Sequence, residues 1–297
     1  MAPLPANEPN LSWEECYMQR ALKKYYPIFV IPTALAFAVA FALPFLAGIM
    51  LSFTEFRTVV DAQFVGLANY YKAFSNEDFK NALIFTSQFT VVSVIIINLL
   101  GFTFASILTR ALRGTNGFRT VLFMPNLIGG IVLGYIWQMI LNSLLYYSEL
   151  TIYADAKYGF WGLVLLMTWQ LTGYMMIIYI AAIQNIPVEL IEAAKVDGAS
   201  KTDILRHVTI PMVMPAFTIC IFLTLTNSFK LFDQNLALTA GAPSNRTAML
   251  ALDIYDTFYG RVGWEGVGQA KAVIFFLLVA VIAFAQLRIT RSREVEN

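Results

Sequence analysis

The sequence predicts an all-α, polytopic membrane protein with six transmembrane helices. Three observations lead there. Of the 297 residues, 58% are hydrophobic and only 13% charged, against about a quarter charged in soluble domains. Six stretches stay apolar over the roughly 20 residues that a helix needs to cross a hydrocarbon core about 30 Å thick. Lysine and arginine gather in alternate connections between these stretches, which is how membrane helices are oriented.

Taken in order, the first stretch covers residues 28–51. It is too long for the apolar region of a signal peptide and no small-residue cleavage site follows, so it is expected to remain as an anchor helix. The second covers 83–108, the third 120–141, the fourth 160–184, the fifth 212–229 and the sixth 267–287. Pro215, Thr224, Thr226, Asn227 and Ser228 interrupt the fifth. This divides the chain into a tail (1–27), a first helix with its outer loop (28–80), a five-helix core (81–290) holding a loop at 185–211, and a final tail (291–297).

Arg20, Lys23 and Lys24 precede the first stretch. Arg110, Arg113 and Arg119 follow the second without an acid among them. Lys195, Lys201 and Arg206 follow the fourth, and Arg288, Arg291 and Arg293 follow the sixth. Basic residues on the other side are sparser and offset by acids. Both termini are therefore expected on the cytoplasmic side, as an even number of spans requires. The near-neutral net charge of +1 gives no case for nucleic acid. Cys16 and Cys220 lie in different settings, so no disulfide framework is expected.

The loop at 185–211 is the most informative segment. Pro187 suits a first helical position, and Glu189 and Glu192 complement the helix dipole. Gly198 fits a left-handed cap, and Ser200 with Asp203 forms a capping box. Two short helices joined at a bend are expected, with Pro211 marking the return to the membrane. Ala193 and Ala194 leave one helix face low enough for a partner to approach closely, and Glu192 beside them offers a carboxylate to fix register.

Glu192-Ala193-Ala194, then Gly198, then Val208-Thr209-Ile210-Pro211 resembles the signature loop of ABC importer permeases. Val208, Ile210 and Leu205 depart from its commonest residues. Four further segments resemble permeases of the maltose and glycerol-phosphate type: 64–70, Leu122-Phe123-Met124-Pro125 with Trp137, 228–233, and 238–243, where Ala240 and Ala242 replace frequent glycines. The resemblance implies the type I importer (MetI-like) fold and transport of a sugar or oligosaccharide by alternating access. Its implied partners are a second homologous permease subunit, an ABC ATPase dimer, an extracellular or periplasmic sugar-binding protein and the surrounding membrane lipid. ATP and magnesium would be bound by the ATPase, leaving this chain without catalytic residues or cofactor. The resemblance assigns ATPase coupling to Glu189, Glu192, Ala193, Ala194, Asp197, Gly198 and Pro211. The outer loops at 64–80 and 238–264 are long enough to meet the binding protein.

Polar residues within the spans either line a path or join helices: Asn98, Asn126, Gln138, Gln170, Tyr174, Asn227 and Ser228. Gln170 and Tyr174 share a helix face. The resemblance places the substrate path on the fourth and fifth spans, at Gln170, Tyr174, Thr224, Asn227 and Ser228. Gly130 and Gly134 favour close packing, either within the chain or against the partner permease. His207 is read as a surface residue. Phosphate-binding glycine loops, hydrolase elbows and zinc-protease motifs are absent. Acids sit in loops or at span ends, so no charge pair is expected inside the membrane, which argues against a gradient-driven transporter. A membrane scaffold without a solute, and a permease for glycerol-phosphate, an amino acid or a peptide, are the competing readings of the same residues.

Overall fold

The computed structural model describes residues 25–291 apart from 29 and 111–113. The expectations for Cys16, Arg20, Lys23, Lys24, Arg113 and Arg293 lie outside the described residues. The chain forms two compact units, divided between Leu51 and Ser52.

The first unit is helix α1 (Tyr25–Leu51), which contains a π turn at Ala38–Ala42. Its most apolar window buries nothing within the protein. Such a surface suits a lipid environment.

The second unit begins with a short antiparallel pair, β1 (Thr54–Glu55) and β2 (Gln63–Phe64), followed by α2 (Ala68–Ser75). The Asn69 amide donates to the carbonyls of Ser52 (3.0 Å) and Thr54 (2.8 Å). Gly266, opposite Thr54 and Asn69, leaves room for that contact. Residues 52–80 thus belong to the second unit.

Helix α3 (Glu77–Leu108) is capped by the Asn76 side chain, which accepts from the Phe79 N–H at 2.9 Å. The third apolar stretch departs from the sequence reading of one continuous span. It is two helices, α4 (Thr115–Phe123, extended as a 3-10 turn over Met124–Leu127) and α5 (Gly130–Tyr146), bent by 102°. Pro125 lacks the N–H that would continue α4, and Ile128 and Gly129 take extended backbone angles. Among the described residues, five helices are long and apolar enough to cross a membrane, and this bent pair makes a sixth if it counts as one span.

Helix α6 (Ala156–Gln184) follows, then α7 (Val188–Val196) and α8 (Lys201–Phe229). Short α9 (Asp233–Leu238) and α10 (Leu250–Gly260) lead to α11 (Glu265–Arg291). The core lies where α3, α6 and α8 meet, around buried Phe89, Ile97, Met175, Met176, Tyr179 and Cys220. The Tyr179 hydroxyl donates to Asn98 Oδ1 at 2.7 Å, and Asn98 Nδ2 donates to Thr224 Oγ1 at 3.3 Å. Asn98 thus joins the three helices instead of lining a path. Gln138 does the same for α5 and α9, donating to the carbonyls of Ala237 (3.0 Å) and Leu238 (3.2 Å).

Two further glycines let helices approach closely. A Cβ at Gly173 would lie 2.8 Å from the Phe123 Cα and closer still to the Leu122 carbonyl, so α4 rests directly on the α6 backbone. A Cβ at Gly134 would meet the Ala237 methyl at 2.5 Å. The Gly130/Gly134 pair therefore packs within the chain, against α9.

One expectation about charge fails. Lys271, inside the sixth apolar stretch, is fully buried, and its ammonium lies 2.8 Å from Asp253 Oδ2 on α10. It also donates to Thr257 Oγ1 (2.8 Å) and Asn76 Oδ1 (3.2 Å) and stands over the Phe79 ring. The pair is invisible in sequence because Asp253 reads as a loop acid until α10 folds onto α11. With every ammonium proton bonded, Lys271 clamps the cap of α3, α10 and α11 together.

Candidate functional site

The break between α4 and α5 opens a cavity of about 410 Å³ between α6, α8 and α9. Asn126, on the 3-10 turn after α4, reaches it only because that span is broken. From α6 come Gln170 and Tyr174, one turn apart, with Met167 and Leu171 beside them. The end of α8 contributes Asn227, Lys230 and Leu231, and α9 contributes Gln234.

The amides are held in place. Gln234 Nε2 donates to Gln170 Oε1 at 2.8 Å, and Gln170 Nε2 donates to the Ile128 carbonyl at 3.3 Å. Gln170 is 8% exposed, so its orientation is set before any solute arrives. The lining has four primary amides, a phenol and an ammonium, but no carboxylate. Amides present donors and acceptors together.

Three residues expected on the path, Gln170, Tyr174 and Asn227, therefore meet in one cavity. Thr224 and Ser228 do not join them. Both are fully buried, and their hydroxyls donate to the carbonyls of Cys220 (2.7 Å) and Thr224 (2.8 Å), four residues earlier. Such bonds serve the helix itself. Sequence reasoning does not single out Lys230 and Gln234. Lys230 lies one turn beyond Asn227, but Gln234 follows the break between α8 and α9, so no helical spacing in the sequence links it to them.

At the opposite end of α8 lies the loop at 185–211. Pro187 stands at the N-cap of α7, one position earlier than expected, with Glu189 in the first turn and Lys195 in the last. A Schellman closure ends α7: Ala199 N–H donates to the Ala194 carbonyl (2.9 Å) and Gly198 N–H to that of Lys195 (3.1 Å). Gly198 has φ +79°, a conformation that a Cβ disfavours. Glu189, Glu192, Ala193, Asp197 and Gly198 are exposed and Ala194 is half-buried. Val188 and Val196 also face outward. Ser200 and Asp203 form the capping box, Asp203 N–H donating to Ser200 Oγ at 3.2 Å.

Beyond the box, the expected second short helix is not separate. It passes through a π turn (Leu205–Thr209) straight into the fifth span. Pro211 is thus half-buried inside a continuous helical run, where the widened turn accommodates its missing N–H. His207 is exposed, with Nδ1 3.1 Å from the Asp203 carbonyl. Among the described residues no group of three or more His, Cys, Asp or Glu side chains is placed to hold a metal ion.

Similarity to known proteins agrees with this architecture. The family described as "Binding-protein-dependent transport system inner membrane component" matches residues 113–295. The chain is 44% identical over 285 residues to the probable starch degradation products transport system permease protein AmyD of Thermoanaerobacterium thermosulfurigenes, covering 92% of this chain and 96% of that one. It is 27% identical over 277 residues to the trehalose/maltose transport system permease protein MalF of Thermococcus litoralis, covering 90% and 93%. The fold is that of a subunit in the crystal structure of a bacterial ABC transporter involved in import of the acidic polysaccharide alginate. There the TM-score is 0.77 at 17% identity, over 93% of this chain and 99% of that chain. A span broken beside a polar cavity, helices packed as in an importer subunit and a family match over most of the chain lead to one assignment: this protein belongs to the binding-protein-dependent transport system inner membrane components.

Proposed function

We propose that this chain is a permease subunit of an ATP-driven importer and that its solute is an oligosaccharide. The observation that carries the reading is the cavity. Four amides and a phenol over an apolar floor of Met167, Leu171 and Leu231 match a sugar ring, which has hydroxyls at its edge and C–H groups on its faces. Two relatives named for starch products and for trehalose and maltose support the same class.

In this reading α7 is the contact for an ATPase dimer. Ala193 and Ala194 admit the partner surface, Glu189, Glu192 and Asp197 supply charge, and Gly198 and Pro211 hold the helix against α8. The ATPase binds ATP and magnesium, and this chain carries out no chemistry itself. A second permease subunit completes the path, and a binding protein delivers the sugar from the side of α9 and α10. Both termini and α7 face the cytoplasm. Closure of the ATPase moves α7, and alternating access follows.

The test uses the complex reconstituted with its ATPase, second permease and binding protein. Loss of one amide partner in a dry site costs about 1–3 kcal/mol, roughly tenfold to a hundredfold. Asn227→Ala and Tyr174→Ala are expected to lower sugar uptake by that order while the complex still assembles and hydrolyses ATP. Full uptake in both variants, or failure of both to assemble, refutes the assignment of these residues to the path.

A further inference from the structure

A second hollow of about 410 Å³ lies between α10 and α11, at the same end of the bundle as the end of α8. Phe232 lines it, while the adjacent Leu231 lines the amide cavity. The two hollows thus have lining residues that are neighbours in sequence. Phe232 begins an aromatic series. Its ring centroid is 5.2 Å from that of Tyr255, Tyr255 is 4.9 Å from Tyr259, and Tyr259 is 4.8 Å from Phe258. Tyr255 is 44% exposed and Tyr259 72%, so the series opens outward as it leaves the cavity.

The polar groups along it are free. Among the described residues, neither tyrosine hydroxyl nor the half-buried Gln269 amide that shares the hollow bonds to another protein group. A ligand here must offer broad apolar faces to the rings and hydrogen-bonding groups to the edges. Tyrosine suits that combination, with an apolar body and a polar tip. A saccharide meets both requirements along its whole length, and the hollow's volume falls in the range of small-molecule sites. A lipid acyl chain would leave the three polar groups unpaired.

We infer that Phe232, Tyr255 and Tyr259 form an aromatic track that receives successive sugar rings of an oligosaccharide on its way into the amide cavity. This rests on the sugar reading above and adds a second subsite with a distinct consequence: the track acts on long solutes more than on short ones. A disaccharide seated among Gln170, Tyr174 and Asn227 does not extend past Phe232, whereas a longer chain does.

The experiment measures uptake by the complete reconstituted complex of linear glucose oligomers from the disaccharide to the heptamer. In Tyr255→Ala and Tyr259→Ala, the ratio of heptamer to disaccharide uptake is expected to fall by about tenfold, the scale of one lost aromatic contact. Tyr255→Trp should restore it, because a ring face is kept. Equal loss at every length overturns the track and marks the rings as structural. Loss of assembled complex in both alanine variants, with no recovery in the tryptophan variant, overturns it in favour of a protein or lipid contact. A wild-type complex that takes up none of these oligomers, yet hydrolyses ATP, overturns the track together with the glucan form of the sugar reading. The first two results leave the sugar reading intact, so the two failures are distinguishable.

Discussion

Replacing Lys271 with methionine tests how the α10 end of the bundle is held. The substitution keeps most of the side-chain length and removes the ammonium, and with it hydrogen bonds to Asp253 and Thr257 at 2.8 Å and to Asn76 at 3.2 Å. Asp253 is 5% exposed, and Lys271 is its only side-chain donor among the described residues. Breaking such a pair costs about 3–5 kcal/mol, because the remaining charge is stranded away from water. At roughly 2–4 °C per kcal/mol, Tm should fall by roughly 6–20 °C. Burial pushes the Asp253 carboxyl up, while Lys271 draws it back down. Burial is the larger influence even with the lysine present, so without it the carboxyl rises further. A carboxyl raised in the folded state gives stability that is present below its unfolded value of about 3.9 and is lost as pH rises through the folded one. The gap between variant and wild type should therefore be smaller at about pH 5 than at about pH 8. Thermal unfolding of the purified complex at both pH values measures this. Adding Asp253→Leu removes both charges and should recover most of the loss. A Lys271→Met complex within about 2 °C of wild type, or a double variant as unstable as the single one, would refute the reasoning.

Gly198→Val places a β-branched residue at φ +79° and should cost about 1 kcal/mol or more. No atom lies within 4 Å of the added Cβ, so the expected outcome is a subunit that reaches the membrane but transports poorly per ATP hydrolysed. Gly173→Ala pushes a methyl into the α4 backbone and should cost about 1–3 kcal/mol through overpacking, read as a lower yield of folded subunit. Single cysteines at Ser200 and Asn245 should be labelled by an impermeant thiol reagent from opposite sides, Ser200 from the cytoplasm. Labelling of both from one side contradicts the six-span topology.

Long elements were legible because length and apolarity alone specify them. The helices at 83–108 and 160–184 carry unbroken apolar runs, and the structure places α3 and α6 over them. The caps at Gly198 and Ser200 were legible because capping is local chemistry that three or four residues complete. The broken third span was not, although Pro125 and the Gly129-Gly130 pair lie inside it. Hydropathy counts apolar residues without asking where the backbone loses an N–H. The cavity was half legible. Gln170 and Tyr174 share a face by helical spacing alone, but Gln234 enters through α9, whose position depends on Gly134 admitting Ala237. Thr224 and Ser228 misled because a hydroxyl bonded to its own helix and one facing a solute look the same in a sequence. Lys271 and Asp253 could be joined only by knowing that α10 folds back over α11.

The continuity of α8 gives the molecule a lever. It runs without a chain break from the Ser200 cap to the turn before Lys230, and its 29 residues span roughly 43 Å. A tilt of about 10° about one end displaces the other by about 7 Å over that length. A modest rocking at the loop thus sweeps Asn227 through roughly twice its own side-chain reach. The arm has two weak points: the π turn at Leu205–Thr209, where the hydrogen-bond ladder is widened, and Pro215, which gives the ladder no N–H. Both lie in the part of the arm nearer the cap, so bending is confined there and the stretch from Ala216 to Phe229 carries Asn227 as one piece.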